Sequence, residues 1–249
     1  MTFKNWNDFE NFKEHVRFES RYVHSSNARE FLENVKESFL SRIRTLPKYW
    51  ILYRSQIGYS ELEHKGEHIV VGYPKERMKP LLRGSTEGRA NPKGISYLYL
   101  SGDPGTSMAE LRPSRGQKIS CAEFQVIEDL KLIDCYGVSN NYSLARCLFE
   151  PPKNPKEIED AVWSRINEEF SKPISNSDVA SDYVATQILT ELVKSCGYDG
   201  ICFKSSLESG YNVVLFDLNK ANLISCTVNE IKEVKLYFSE CANRYFVTS

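Results

Sequence analysis

One stretch limits the fold of this chain more than any other: residues 88–112, GRANPKGISYLYLSGDPGTSMAELR. Its glycines, asparagine and proline make a tight polar turn. ISYLYLS is rich in β-branched and aromatic residues and reads as a buried strand. Asp103–Pro104 then opens a short helix, with the acid as cap and proline in the first turn. Around this unit strands and helices do not alternate regularly. The fold class predicted is therefore α+β, and not a doubly wound parallel sheet. Neither GxGxxG nor a Walker loop is present, which excludes Rossmann and P-loop readings at the motif level.

The rest of the chain supplies further elements. WILYRSQIG (50–58) is predicted as the first core strand and EHIVVGY as a second strand or edge. KERMKPLLRGSTEGRANPKG is a polar, basic loop. KISCAEFQV, LKLIDC, GICF and NVVLF are strands, and the tail from Ala221 holds two or three short β-like runs. Trp6, Phe9, Phe12 and Val16 share one face of a short helix. Asn27 with Glu30 fits a capping box, followed by Phe31, Val35, Phe39 and Ile43 at spacing four, ending before Pro47. Asn154–Pro155 with Glu157 opens a helix carrying Ile158, Val162, Ile166 and Phe170, closed by Pro173. A last helix covers residues 179–195 and stops at Gly197. The expected division is an N-terminal helical extension, 1–48, packed on a core domain, 49–249, with a helical insertion near 137–180.

Composition excludes several classes. The chain has 249 residues, 41% hydrophobic and 26% charged, with a formal net charge of −1. No overall field attracts nucleic acid or acidic membranes. No apolar run is long enough to span a bilayer, and the start lacks the apolar core of a signal peptide. Seven cysteines carry no CxxC pair. Cys121, Cys135 and Cys202 lie in apolar runs and read as buried thiols, so a cytoplasmic location is expected.

Several side chains can do chemistry. Arg54 interrupts the apolar run WILYR, where a charge needs a partner, a ligand or an exposed edge. Arg89 sits on a glycine-flanked turn. Guanidinium forks grip phosphate oxygens, and surface salt bridges use the same residue type. Ser107 and Glu110 fit a helix capping box, and Glu110 can equally serve a ligand. Tyr53 and Tyr99 offer aromatic faces or ordinary core packing. Ser205 and Ser206 end the GICF strand, and Asn212 precedes VVLF. All four histidines precede residue 70. His64 and His68 are four apart without HExxH or cysteine partners, so they read as an exposed polar loop and no metal site is expected.

LYRSQIG, GRANPKG, LYLSGDPGTSMAELR and GICFKSSLESGYNVVLF, in that order, resemble the RES domain, a family named for its Arg, Glu and Ser. The resemblance covers roughly residues 50–220. It implies a mixed, split sheet related to the diphtheria-toxin-like ADP-ribosyltransferases. It also implies an NAD-consuming bacterial toxin silenced by a cognate antitoxin or another regulator protein. Arg54, Glu110 and Ser205 take the positions of the family's catalytic residues. Arg89, Tyr53, Tyr99, Ser206 and Asn212 take substrate-binding positions. Many relatives have proline where this chain has Lys204, which leaves the register between Ser205 and Ser206 open. NAD is the implied substrate, cleaved at the nicotinamide–ribose bond by water or phosphate. The alternatives are ADP-ribosyl transfer to a macromolecule and a non-catalytic nucleotide-binding or interaction module.

Overall fold

The computed structural model describes residues 3–82, 84–137, 142, 144–172, 180–235 and 237–241. Its strands are β1 (Ile43–Leu46), β2 (Ile51–Ile57), β3 (Ser60–His64), β4 (Glu67–Val71), β5 (Leu98–Ser101), β6 (Lys118–Val126), β7 (Leu130–Asp134), β8 (Gly200–Lys204), β9 (Tyr211–Leu215) and β10 (Ala221–Glu230). Its helices are α1 (Asp8–Glu14), α2 (Ser26–Ser38), α3 (Lys75–Met78), α4 (Pro104–Ala109), α5 (Leu144–Phe149), α6 (Pro155–Ser171) and α7 (Val184–Ser195).

Eight strands form one mixed sheet, ordered β1-β7-β8-β9-β5-β2-β6-β10, and β3–β4 is a separate hairpin. Only β7 and β8 run parallel. The junction of β2 and β5 is a single pair, Tyr53 with Ser101. The sheet is therefore split: two ladders, β1-β7-β8-β9-β5 and β2-β6-β10, splay apart from this seam.

Both faces of the larger ladder are buried. Ile201, Phe203 and Val214 face a core built with Phe31, Val35, Val162, Ile166 and Leu189 from α2, α6 and α7. Cys202, Val213 and Leu215 face a second core with Leu52, Leu98, Leu100, Phe124 and Leu132. Period-two alternation, with apolar residues on both phases, produces this double burial.

Local capping chemistry explains several boundaries. Asp103 caps α4 by accepting the Thr106 N–H at 2.8 Å, and Asn154 caps α6 by accepting the Glu157 N–H at 3.0 Å. After α7, Gly197 takes φ +84°, a left-handed stop open to glycine.

Other expectations change. α2 is capped by Ser25, not Asn27: its hydroxyl accepts the Ala28 N–H at 3.3 Å. Phe31, Val35 and Phe39 are buried as the spacing requires. The helix does not run on to Pro47, because a 3-10 turn over Phe39–Arg42 leads into β1, which pairs with β7. Ile43 and Thr45 are β-branched, and an open strand edge outcompetes another helical turn. His64 and His68 stand on the β3–β4 hairpin, opposite Glu67 and Glu63, instead of in a loop. Among the described residues the tail forms one strand, β10, with an irregularity between Leu223 and Ser225. Pro173 and residue 179 lie outside the described residues. All seven cysteines are free, and burial pushes the Cys121, Cys135 and Cys202 thiols up. Among the described residues no helix is long and apolar enough to cross a membrane.

Candidate active site

A cleft of about 300 Å³ opens where the two ladders part. Tyr53, Arg54 and Ser55 of β2 form one wall, and Tyr99, Leu100 and Ser101 of β5 form the other. Gly88 and Arg89, then Ser107, Glu110 and Leu111, close it from the sides, with Phe203 and Asn212 at the back.

The Arg54 Nη1 donates to the Tyr99 carbonyl at 3.0 Å, on the side of β5 where the ladder to β2 has stopped. Its Nε is shielded from solvent and has no acceptor. Arg54 makes no ion pair among the described residues. Burial therefore pulls its pKa down, opposed only by Tyr99. A half-buried guanidinium without a counter-ion among the described residues is costly, and an anion in the cleft would relieve it.

Glu110 stands at the C-terminal end of α4. A capping box with Ser107 is not formed, because Asp103 already caps the helix and Ser107 donates to the Ser55 hydroxyl at 2.9 Å. Instead, Glu110 Oε1 accepts from Ser205 Oγ at 2.8 Å and from Asn212 Nδ2 at 2.6 Å. Asn212 Oδ1 accepts in turn from Ser101 Oγ at 2.8 Å. The other carboxylate oxygen, Oε2, has no donor among the described residues. The carboxylate is thus oriented from behind and keeps one oxygen for a ligand.

The turn carrying Arg89 is fixed by its neighbours. The Tyr99 hydroxyl donates to Asn91 Oδ1 at 2.7 Å and accepts the Ala90 N–H at 3.1 Å. A Cβ on Gly88 would lie 2.9 Å from both Asn91 Oδ1 and that hydroxyl, so the approach requires glycine. From α7, Thr186 donates to the Arg89 carbonyl and Gln187 to those of Gly88 and Asn91. Arg89 Nη1 reaches the Phe170 carbonyl at 3.2 Å.

Arg54, Glu110, Arg89, Tyr53, Tyr99 and Asn212 are therefore brought together, although 159 positions separate Tyr53 from Asn212 in sequence. Ser205 is 1% exposed and acts behind Glu110 instead of on the cleft surface. Ser206 is not part of the cleft: it is exposed and lines a neighbouring hollow with Ser171 and Lys204. The Tyr99 hydroxyl is engaged by the turn, and burial pushes its pKa up to about 12. Burial, then the charge of Glu123, also pushes the Tyr53 hydroxyl up.

Ser55, Ser101 and Phe203 are not singled out by the sequence, and Ser107 only as a helix cap. Two of them carried a signal. Ser101 lies two positions after Tyr99 and Ser55 two after Tyr53, the spacing that returns a strand to the same face.

The model of the RES domain matches residues 72–239. The chain belongs to the RES domain family. Arg89, Glu110, Ser205 and Asn212 lie inside the matched span. Tyr53 and Arg54 precede it, yet their strand is inserted between β5 and β6 of the RES sheet. The chain is also similar to a chain of the M. tuberculosis MbcT–MbcA toxin–antitoxin complex, with TM-score 0.41 and 13% identity, covering 79% of this chain and 91% of that one. A search of curated proteins finds no match.

Proposed function

We propose that this RES protein cleaves NAD at the nicotinamide–ribose bond. The observation that carries the reading is one cleft holding Arg54, a guanidinium without a counter-ion, and Glu110, a carboxylate oriented by two donors. The two charges suit the two ends of the task.

In the proposed reaction the bond from ribose C1 to the pyridinium nitrogen breaks, and its electron pair leaves with neutral nicotinamide. Positive charge builds on the ribose carbon and ring oxygen. Glu110 Oε2 stabilises that charge or orients a ribose hydroxyl, and gains strength as the cleft excludes water. Arg54 and Arg89 grip the diphosphate. Water attacks C1 and loses a proton, giving ADP-ribose, or a phosphate oxygen attacks and gives the 1-phosphate. Ser205 and Asn212 position Glu110, Tyr53 flanks the bound ring, and Tyr99 holds the Arg89 turn.

The family resemblance extends the proposal to a toxin or defence effector restrained by a cognate antitoxin or regulator, acting in the cytoplasm. The splayed sheet supports kinship with the ADP-ribosyltransferase fold. We further assign residues 1–48 as an extension of a catalytic domain spanning 49–249.

Nicotinamide release from NAD, measured with and without inorganic phosphate, tests the activity. Release that depends on Glu110 is expected. No release under either condition, from a folded protein, overturns it.

A further inference from the structure

We infer that Asn167, on α6, is a positioning residue for Glu110, and that the last turn of this helix braces the whole cleft; the inference rests on the proposed NAD-cleaving role of Glu110. The reason begins in the sheet. β7 pairs with β8 only as far as Asp134 with Cys202, and the Cys135 N–H takes the Cys202 carbonyl. β8 runs two residues further, to Lys204. Backbone groups at that end need partners from outside the sheet.

α6 supplies them. Asn167 Oδ1 accepts the Lys204 N–H at 3.0 Å, and Ser171 Oγ donates to the Lys204 carbonyl at 2.6 Å. The next residue is Ser205, whose Oγ donates to Glu110. The hydroxyl that orients the carboxylate therefore belongs to the residue directly after the clamped one. Phe170, from the same turn, stacks its ring on Phe203 at 5.4 Å, and its carbonyl receives Arg89. Positions 167, 170 and 171 share one helix face, so a single turn touches both charged sides of the cleft.

The opposite side of this turn is gripped by the N-terminal segment. Lys13 and Glu169, both 8% exposed, pair at 3.1 Å, and Arg165 reaches Glu10 at 2.7 Å. The N-terminal helices thereby set the seat of the brace.

Among the described residues Asn167 uses its oxygen alone, and Asn167→Asp keeps that oxygen whereas Asn167→Ala removes it. A lost hydrogen bond of this kind corresponds to up to about a tenfold effect. Asn167→Ala is expected to lower kcat for nicotinamide release about tenfold with KM for NAD nearly unchanged. It is also expected to speed amide exchange at Lys204 and Leu207, the latter held by Ser205 Oγ at 3.2 Å. Asn167→Asp is expected to restore both. Wild-type values for Asn167→Ala, or equal loss in both variants, overturn the inference. If the wild-type protein releases no nicotinamide, the NAD reading fails, and the exchange data alone decide whether Asn167 sets the position of Ser205.

Discussion

Arg42 and Arg54 each have an Nε shielded from solvent with no acceptor, and the protein treats their guanidinium groups oppositely. Arg42, at the junction of the N-terminal segment with α6, lies near Asp160 at 3.3 Å and Glu159 at 3.8 Å, with its guanidinium 4.6 Å from the centre of the Trp163 ring. Arg54, at the seam of the sheet, has one carbonyl and, among the described residues, no carboxylate. Burial pulls both pKa values down, and of the two only Arg42 has carboxylates that oppose the pull. In the scaffold the chain neutralises its buried charge. In the cleft it leaves the charge to be neutralised by something that binds.

Substitution of each arginine sharpens this contrast. Arg42→Ala removes the guanidinium packed on Trp163 and leaves Glu159 and Asp160 with Lys156 as their cation, and is expected to cost about 2 kcal/mol in urea unfolding. Arg54→Met relieves an unpaired charge and should leave the melting temperature unchanged or higher, while raising KM for NAD about tenfold. A large stability loss at Arg54 with unaltered KM would make it a second structural arginine.

The carboxylates can be compared in the same way. Glu169 is held by Lys13 and Lys172 in the scaffold, whereas Glu110 is held by two neutral donors in the cleft. Glu110→Gln should reduce nicotinamide release about 100-fold or more with NAD affinity preserved, as measured by single-turnover kinetics and calorimetry. Similar turnover in the Gln variant would remove the charge from the mechanism.

Tyr99 belongs to the scaffold side of the cleft, and its titration is expected to show it. Its hydroxyl is pushed to about 12 in the fold, above the ordinary value near 10. The folded state holds this proton more tightly, so the associated stability is full below pH ~10 and is lost as pH rises towards 12. Tyr99→Phe should flatten the fall in unfolding free energy across that window by up to about 1.4 kcal/mol per pH unit. An unchanged slope would mean that the hydroxyl is not shielded. The smallest effect belongs to Ser206→Ala, whose kcat/KM is expected to stay within about twofold of wild type.

What could be read in the sequence follows from how far each residue's partners lie along the chain. The Asp103 and Asn154 caps and the Gly197 stop depend on atoms a few residues away, and the sequence displays them. Arg54 was legible as an anomaly, a charge in an apolar run, but not its want of a counter-ion, which is a property of the assembled cleft. Glu110 had two open readings, because a local capping pattern and a contact 95 positions distant look alike in a string. β1 was missed for a similar reason: Ile43–Leu46 continues a helical spacing, and only the edge of β7 recruits it into the sheet. In the string Asn167 is one more polar residue on an amphipathic helix, and its bond to the Lys204 N–H, 37 positions away, exists only in the assembled fold.

The most direct test is a crystal structure of the Glu110→Gln variant soaked with NAD. The diphosphate is expected within hydrogen-bond reach of the Arg54 guanidinium, with the nicotinamide ribose beside residue 110. A dinucleotide bound with its diphosphate away from Arg54, or with residue 110 facing no part of the ribose, would contradict the shared-cleft assignment.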